Sequence, residues 1–397
     1  MRHRGGLWTR WTAALALASL VGAGLGGGAA AMAGDAGSVM PPAPAAARSS
    51  VILPLPSSGD AFDARDVAID GPHVLYVTRD SYSEAARRQR CYPIRQMRLL
   101  DLARHTDRLV DQVARPPGGG CAWYGAVQLS WPWVVAESAG QEARGQTRAL
   151  TALNLLTGRR RVLSRAPHAE GRGGSGTFFA WSLSGPRVVW VANHYRDPVR
   201  GSASLELADL TSGRQRTVVR TPWSNWHDTQ TPTARAVALA GDRLVWLRMV
   251  GNRGDVLLED LSTGGVRVLA HDIGYRETLI AGGAVAWLDN HPNRSGGLVR
   301  VLDLRAGSMV PVTAEVADNL QLGDGLVGWS PMNWEDPRLY DLRRHTTYVY
   351  RGQPPSPAWG VVVSMVRLFG RQVLVATTLH WDCGGPIRRT LYRLDTY

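Results

Sequence analysis

The sequence predicts an all-β fold: a seven-bladed β-propeller of four-stranded blades, with an N-terminal strand closing the last blade. Three observations carry this. A short apolar phrase follows a glycine-containing turn in "GPHVLYV" at Gly71, "WPWVVAE" at Trp131, "GPRVVWV" at Gly185, "GDRLVWL" at Gly241, "GGAVAWL" at Gly282, "GDGLVGW" at Gly323 and "GRQVLVA" at Gly370. Each is short, rich in β-branched and aromatic residues and apolar on both alternating faces, as suits a strand buried on both sides. A second phrase follows each first one, as in "LADLTSGRQRTVV" around Asp209 and "LEDLSTGGVRVL" around Asp260. The third observation is the spacing: the positions equivalent to these aspartates are separated by 53, 55, 51, 43, 38 and 54 residues. Recurrence at this length marks propeller blades, and no sustained 3.6-residue periodicity supports a helical solenoid. Six or eight blades are the alternatives these uneven spacings leave open.

Within a unit, strand A precedes the glycine turn, strand B is the apolar phrase, and strands C and D flank the second phrase. The residue three after the leucine of that phrase is Gly158, Gly213, Gly264 or Gly307. A positive φ at that point explains the glycine. His105 and His345 occupy it in two copies. Histidine is among the residues enriched at positive φ, so both read as turn residues and not as catalysts.

A glycine turn with V-x-W, then D-L-x-x-G, then an apolar strand resembles the TolB-type propeller repeat. The resemblance spans roughly Val51 to Tyr397 and implies the fold. The family's S-P-D-G turn has become "SGPR", "AGDR" and "AGGA" here, and the chain has no room for TolB's N-terminal α/β domain. The Tol-system role is therefore not carried over.

The ends have their own logic. "MRHRGGLWTRW", the apolar "TAALALASLVGAGLGG" and Ala31-Met32-Ala33 read as a secretory signal over residues 1–33, cleaved after Ala33. Residues 34–50 read as a disordered linker and 51–397 as a single propeller domain. The last copy, "LYRLDTY", stops at strand C. Val51, Ile52 and Leu53 are the candidate for its missing strand D, pairing onto the outer edge and covering it.

All 45 basic residues are arginine, and removing Arg2, Arg4 and Arg10 with the signal takes the formal charge from +12 to +9. With no Arg-rich helix or RNA-binding signature, the arginines read as spread over solvated faces, and nucleic acid is not an expected partner.

The A–B and C–D connections are short. The longer B–C and D–A connections emerge on the opposite face, which is the expected binding face. Trp190, Trp246, Trp287 and Trp329 lie on B strands and read as packing between blades. The binding candidates are Trp223, Trp226, His227 and Asp228 of "TPWSNWHDTQ", His194 and Arg196 of "NHYRD", Asp289 and His291 of "DNHPN", with Trp334 and Trp381. Indole stacks and donates a hydrogen bond, which suits a protein or polysaccharide ligand. His beside Asp permits acid–base work. However, no nucleophile elbow, H-E-x-x-H or calcium loop is present, and no catalytic residue, metal or cofactor is expected. Of the three cysteines, Cys91 and Cys121 are the first choice for a disulfide and Cys91 with Cys383 the second.

The expectation is thus a secreted, non-catalytic binding or scaffold module, with membrane contact only through an uncleaved signal. A hydrolase or lyase using the His/Asp-bearing loops is the alternative.

Overall fold

The computed structural model describes residues 49–53, 67–79, 95–113, 121–142, 145–167, 180–195, 201–223, 233–250, 253–273, 278–290, 297–312, 316–331, 336–350, 359–381 and 389–397. They belong to the unit Ser38–Tyr397. The expected signal and most of the expected linker lie outside them. β1 (Ser49–Leu53) starts two residues before the expected linker boundary.

The strands follow the repeat. The first unit is β2 (Val67–Asp70), β3 (His73–Arg79), β4 (Arg95–Asp101) and β5 (Thr106–Gln112). The second is β6 (Cys121–Ser130), β7 (Trp133–Glu142), β8 (Gly145–Asn154) and β9 (Arg160–Pro167). The third is β10 (Trp181–Ser184), β11 (Arg187–Tyr195), β12 (Gly201–Asp209) and β13 (Gln215–Trp223). Then come β14 (Thr233–Ala240), β15 (Arg243–Val250), β16 (Arg253–Asp260) and β17 (Val266–Ile273). β18 (Thr278–Ala281), β19 (Ala284–Asn290), β20 (Gly297–Asp303) and β21 (Ser308–Val310) precede β22 (Val316–Leu322), β23 (Leu326–Pro331), β24 (Arg338–Asp341) and β25 (Thr346–Val349). β26 (Trp359–Phe369), β27 (Gln372–Trp381) and β28 (Arg389–Thr396) end the chain.

The first four units are separate four-stranded antiparallel meanders. The last sheet has the order β1-β28-β27-β26, with Ser49 opposite Thr396 through to Leu53 opposite Tyr392. The N-terminal segment therefore supplies the strand that the last repeat copy lacks.

The expected count of seven separate blades is corrected. Five sheets have four strands, and the sixth has eight, formed from two repeat copies. The cause is the shortness of β21, which pairs only Val301, Leu302 and Asp303 of β20. The other end of β20 stays open, and Val316 and Ala317 of β22 pair there with Leu298 and Gly297.

The first strands lie side by side in a circuit. β2 lies against β6, β6 against β10, β10 against β14, β14 against β18, β18 against β22, β22 against β26, and β26 against β2. The core sits between the faces of consecutive sheets. Trp190 packs with Val135, Leu150 and Leu163 of the second sheet, and Trp246 with Val189, Val191 and Leu205 of the third. Trp287 and Trp329 repeat this arrangement further round. All four are buried, as their place on B strands implies.

The turns explain the repeated phrase. Glycines 158, 213, 264 and 307 have φ of 70, 76, 73 and 68°, and His105 and His345 take the same conformation at 53 and 54°. The residue that opens each phrase caps its turn. Asp209 Oδ1 accepts the N–H groups of Thr211 and Ser212 at 2.9 and 2.8 Å, and Asn154 Oδ1 accepts those of Leu156 and Thr157 at 3.0 Å. The leucine N–H then reaches the A–B turn of its own unit, as Leu210 does to Pro186 O at 2.7 Å. The repeat is a scaffold device, tying the two short turns of each unit together.

Candidate functional site

The described chemistry of the long-loop face sits where strands B, C and D end. In the fourth sheet Arg248 and Asp255 are register partners across β15 and β16. The Arg248 Nη2 donates to Asp255 Oδ2 at 2.6 Å. Two residues of β17, His271 and Asp272, face the one residue Asp255, because the register shifts between the Gly254–Ile273 and Val256–Ala270 pairs. Such a bulge re-aims a side chain. His271 Nδ1 lies 3.1 Å from Asp255 Oδ1, and Asp272 takes a positive φ of 61°. Burial alone pushes the Asp255 carboxyl up, but hydrogen bonds from Arg248 and His271 outweigh it and hold it below the usual range. The result is an ionised carboxylate orienting an imidazole whose side chain is 74% exposed.

In the next unit Asp289 Oδ2 accepts from Arg300 Nε at 3.2 Å. In the second sheet Glu137 Oε1 accepts from Arg148 Nη1 at 3.0 Å, and both side chains are largely buried. A bulge between Tyr124 and Ala126 sets Gly125 over this glutamate, where a Cβ would lie 3.3 Å from its carboxyl carbon. These are cross-strand charge pairs, the sheet counterpart of helical i,i+4 pairs.

Of the sequence-derived binding candidates, Asp289 is the one whose side chain is described, and it is committed to Arg300. His194, Trp223 and Trp381 are placed by their backbones alone. His194 pairs with Ser202, Trp223 with Gly201, and Trp381 with Trp359. His194 and Trp223 thus stand at one end of the third sheet, on either side of β12. Arg196, Trp226, His227, Asp228, His291 and Trp334 lie outside the described residues, as do Cys91 and Cys383. Cys121 begins β6 opposite Gln141. Sequence reasoning missed Arg248, Asp255 and His271. The Arg–Asp pair was readable from "RMVGNRGD", where a short connection brings the two into register; the bulge that recruits His271 was not.

Among the described residues no group of three or more His, Cys, Asp or Glu side chains is arranged to hold a metal.

Four-stranded antiparallel units with their first strands in a circuit define a β-propeller fold. Solved structures similar to this chain include TolB from Acinetobacter baumannii, at 12% identity and a TM-score of 0.37 over 82% of this chain and 80% of that one. A prolyl endopeptidase structure matches at 10% identity and a TM-score of 0.52, covering 84% of this chain and 51% of that one. The β-propeller domain of the Trilobed protease from Pyrococcus furiosus matches at 10% identity and a TM-score of 0.50, covering 82% and 96%. The chain thus spans about half the length of the prolyl endopeptidase it resembles. No family model matches the chain, and no curated protein does.

Proposed function

We propose that this chain is an exported, non-catalytic binding or scaffold propeller that contacts a protein or polysaccharide through its long-loop face. One observation carries the functional reading: two described carboxylates of this face, Asp255 and Asp289, are already engaged by arginines. Asp255 and Asp289 hold Arg248 and Arg300, and the His271–Asp255 pair is open to solvent. Catalytic acids and bases are typically set in clefts where burial shifts their titration. Paired surface charges suit recognition instead. Export through residues 1–33 and a Cys91–Cys121 disulfide belong to the same reading; N-terminal sequencing and non-reducing peptide mapping of the exported protein test them.

The binding test is a glycan and secretome screen with the parent chain, followed by Trp226→Ala. That variant is expected to lose ~1–3 kcal/mol of affinity with an unchanged melting temperature, the scale of a lost aromatic anchor. Arg305→Ala, in the opposite-face turn before Ser308, serves as the control and leaves binding unchanged. Parent-like binding by Trp226→Ala contradicts the assignment.

A further inference from the structure

The arginines are not spread evenly over the solvated surface. At the outer edge of the first sheet, β5 carries Asp107 and Asp111 with Arg108, and in the fourth β17 carries Asp272 with Arg267. The edges of the second and third sheets differ. β9 reads "RRVLSRAP" and β13 "QRTVVRTPW", with no acid in either. The turns leading into them add Arg159 and Arg214, and their only acid is the capping Asp209, which is turned onto backbone N–H groups. Arg159, Arg160, Arg165, Arg214 and Arg220 are all exposed. Arg161 makes the arc continuous, donating from Nη1 to Gly213 O of the neighbouring turn at 2.8 Å. Arg160 Nη2 pairs with Asp111 Oδ2 of the first sheet at 3.3 Å with its side chain still half exposed, and among the described residues no carboxylate pairs with Arg159, Arg165 or Arg214.

A second observation concerns what stands among these charges. Leu156, at the tip of the second sheet's turn, is 68% exposed, and Val162 on the adjoining edge is 43% exposed. Neither turn carries an aromatic side chain. Sugar rings and nucleic-acid bases are gripped by aromatic faces, which are missing here. An aliphatic tip in a turn that also carries an exposed arginine, Arg159, gains most where phosphate and hydrocarbon meet. Guanidinium binds phosphate oxygens bidentately, basic residues are drawn to anionic leaflets, and an apolar side chain enters the headgroup–acyl boundary.

We propose that the Arg159–Arg214 arc, with Leu156 at its tip, docks this protein on the surface of an anionic phospholipid bilayer. Arg159, Arg160, Arg161 and Arg214 lie at the short-turn end of the sheets, so docking through them leaves the long-loop face free. The inference stands apart from the ligand proposed above.

The test is co-sedimentation of the full chain with phosphatidylglycerol–phosphatidylcholine vesicles and with pure phosphatidylcholine vesicles, across a salt series. Parallel arms use a sulfated polysaccharide and duplex DNA. The parent is expected to prefer the anionic vesicles and to lose that preference as salt rises. The triple change Arg159→Gln, Arg160→Gln and Arg214→Gln is expected to weaken vesicle binding roughly a hundredfold, at about fivefold per arginine. Leu156→Ser is expected to weaken vesicle binding and leave the polysaccharide and DNA arms as in the parent. All these side chains are exposed, so melting temperatures are expected to stay at the parent value. Equal binding to both vesicle types overturns the proposal. So does parent-like binding by the triple variant, or an unchanged vesicle affinity for Leu156→Ser, which would mark the arc as a general polyanion surface.

Discussion

Asp341 shows how one carboxylate serves both its turn and the neighbouring sheet. Its Oδ1 accepts the N–H groups of Arg343 and Arg344 at 2.9 and 3.2 Å, while Oδ2 accepts Arg371 Nη2 from the last sheet at 3.1 Å. Burial works to raise its pKa, but these hydrogen bonds outweigh it, and the carboxyl is held below its ordinary value. Asp209 and Asp303 are lowered as well, chiefly by the backbone N–H groups of Ser212 and Ala306. A depressed folded-state value contributes stability that is present above the unfolded value, near 3.9, and is lost as pH falls through the folded value. Asn154 fills the same turn position without charge. Asp209→Asn is therefore expected to keep its turn and reduce the loss of stability in acid, read as melting temperature from neutral pH down to pH 2. Asp341→Ala strands two N–H groups and a guanidinium, and is expected to cost ~1–3 kcal/mol at neutral pH in urea unfolding.

At the scale of elements, the sheets are held by what fills the space between them. Most units place Trp on strand B facing the preceding sheet. The last sheet has Val375 there, opposite Arg393. Arg393 bonds Asp395 two residues on, Nε to Oδ1 at 2.8 Å and Nη2 to Oδ2 at 2.9 Å, with the residues 5 and 0% exposed. Beside them the hydroxyls of Tyr350 and Tyr397 meet at 2.5 Å. Arg393→Met leaves a buried carboxylate without its guanidinium and is expected to cost ~3–5 kcal/mol, whereas Arg393→Met with Asp395→Leu recovers much of that. Denaturant melts of the single and double variants check it. Trp287→Ala, in the ordinary kind of interface, is expected to cost ~3–5 kcal/mol through the cavity it leaves.

These elements also show what the sequence could and could not reveal. Strand B, the glycine turns and the His105 and His345 conformations were legible because each is set by a few neighbouring residues. The joining of two repeat copies into an eight-stranded sheet was not, because it follows from β21 stopping after three residues. The His271–Asp255 contact depends on a bulge, and a one-position shift in register is invisible in composition. The arginine arc escaped because a net charge says nothing of which blade edges carry it. Most of the expected ligand residues, Trp226 and His227 among them, lie in long connections outside the described residues.

At the scale of the whole molecule, Ser49–Leu53 and the last three strands, far apart in sequence, form one sheet. Five residues of β1 lie along β28, and Leu53 is buried with Tyr392, Leu394, Val67 and Tyr76, which joins the last sheet to the first. Loop-closure entropy grows slowly with loop length, so joining residues so far apart in sequence costs only a few kcal/mol more than a local pairing. The most direct measurement is urea unfolding of the chain lacking Ser49–Leu53, with amide hydrogen exchange followed along β28. The account predicts one cooperative transition in the parent, a lower midpoint in the deletion, and loss of protection along Tyr392–Thr396. A deletion that unfolds at the parent midpoint with β28 still protected would contradict it.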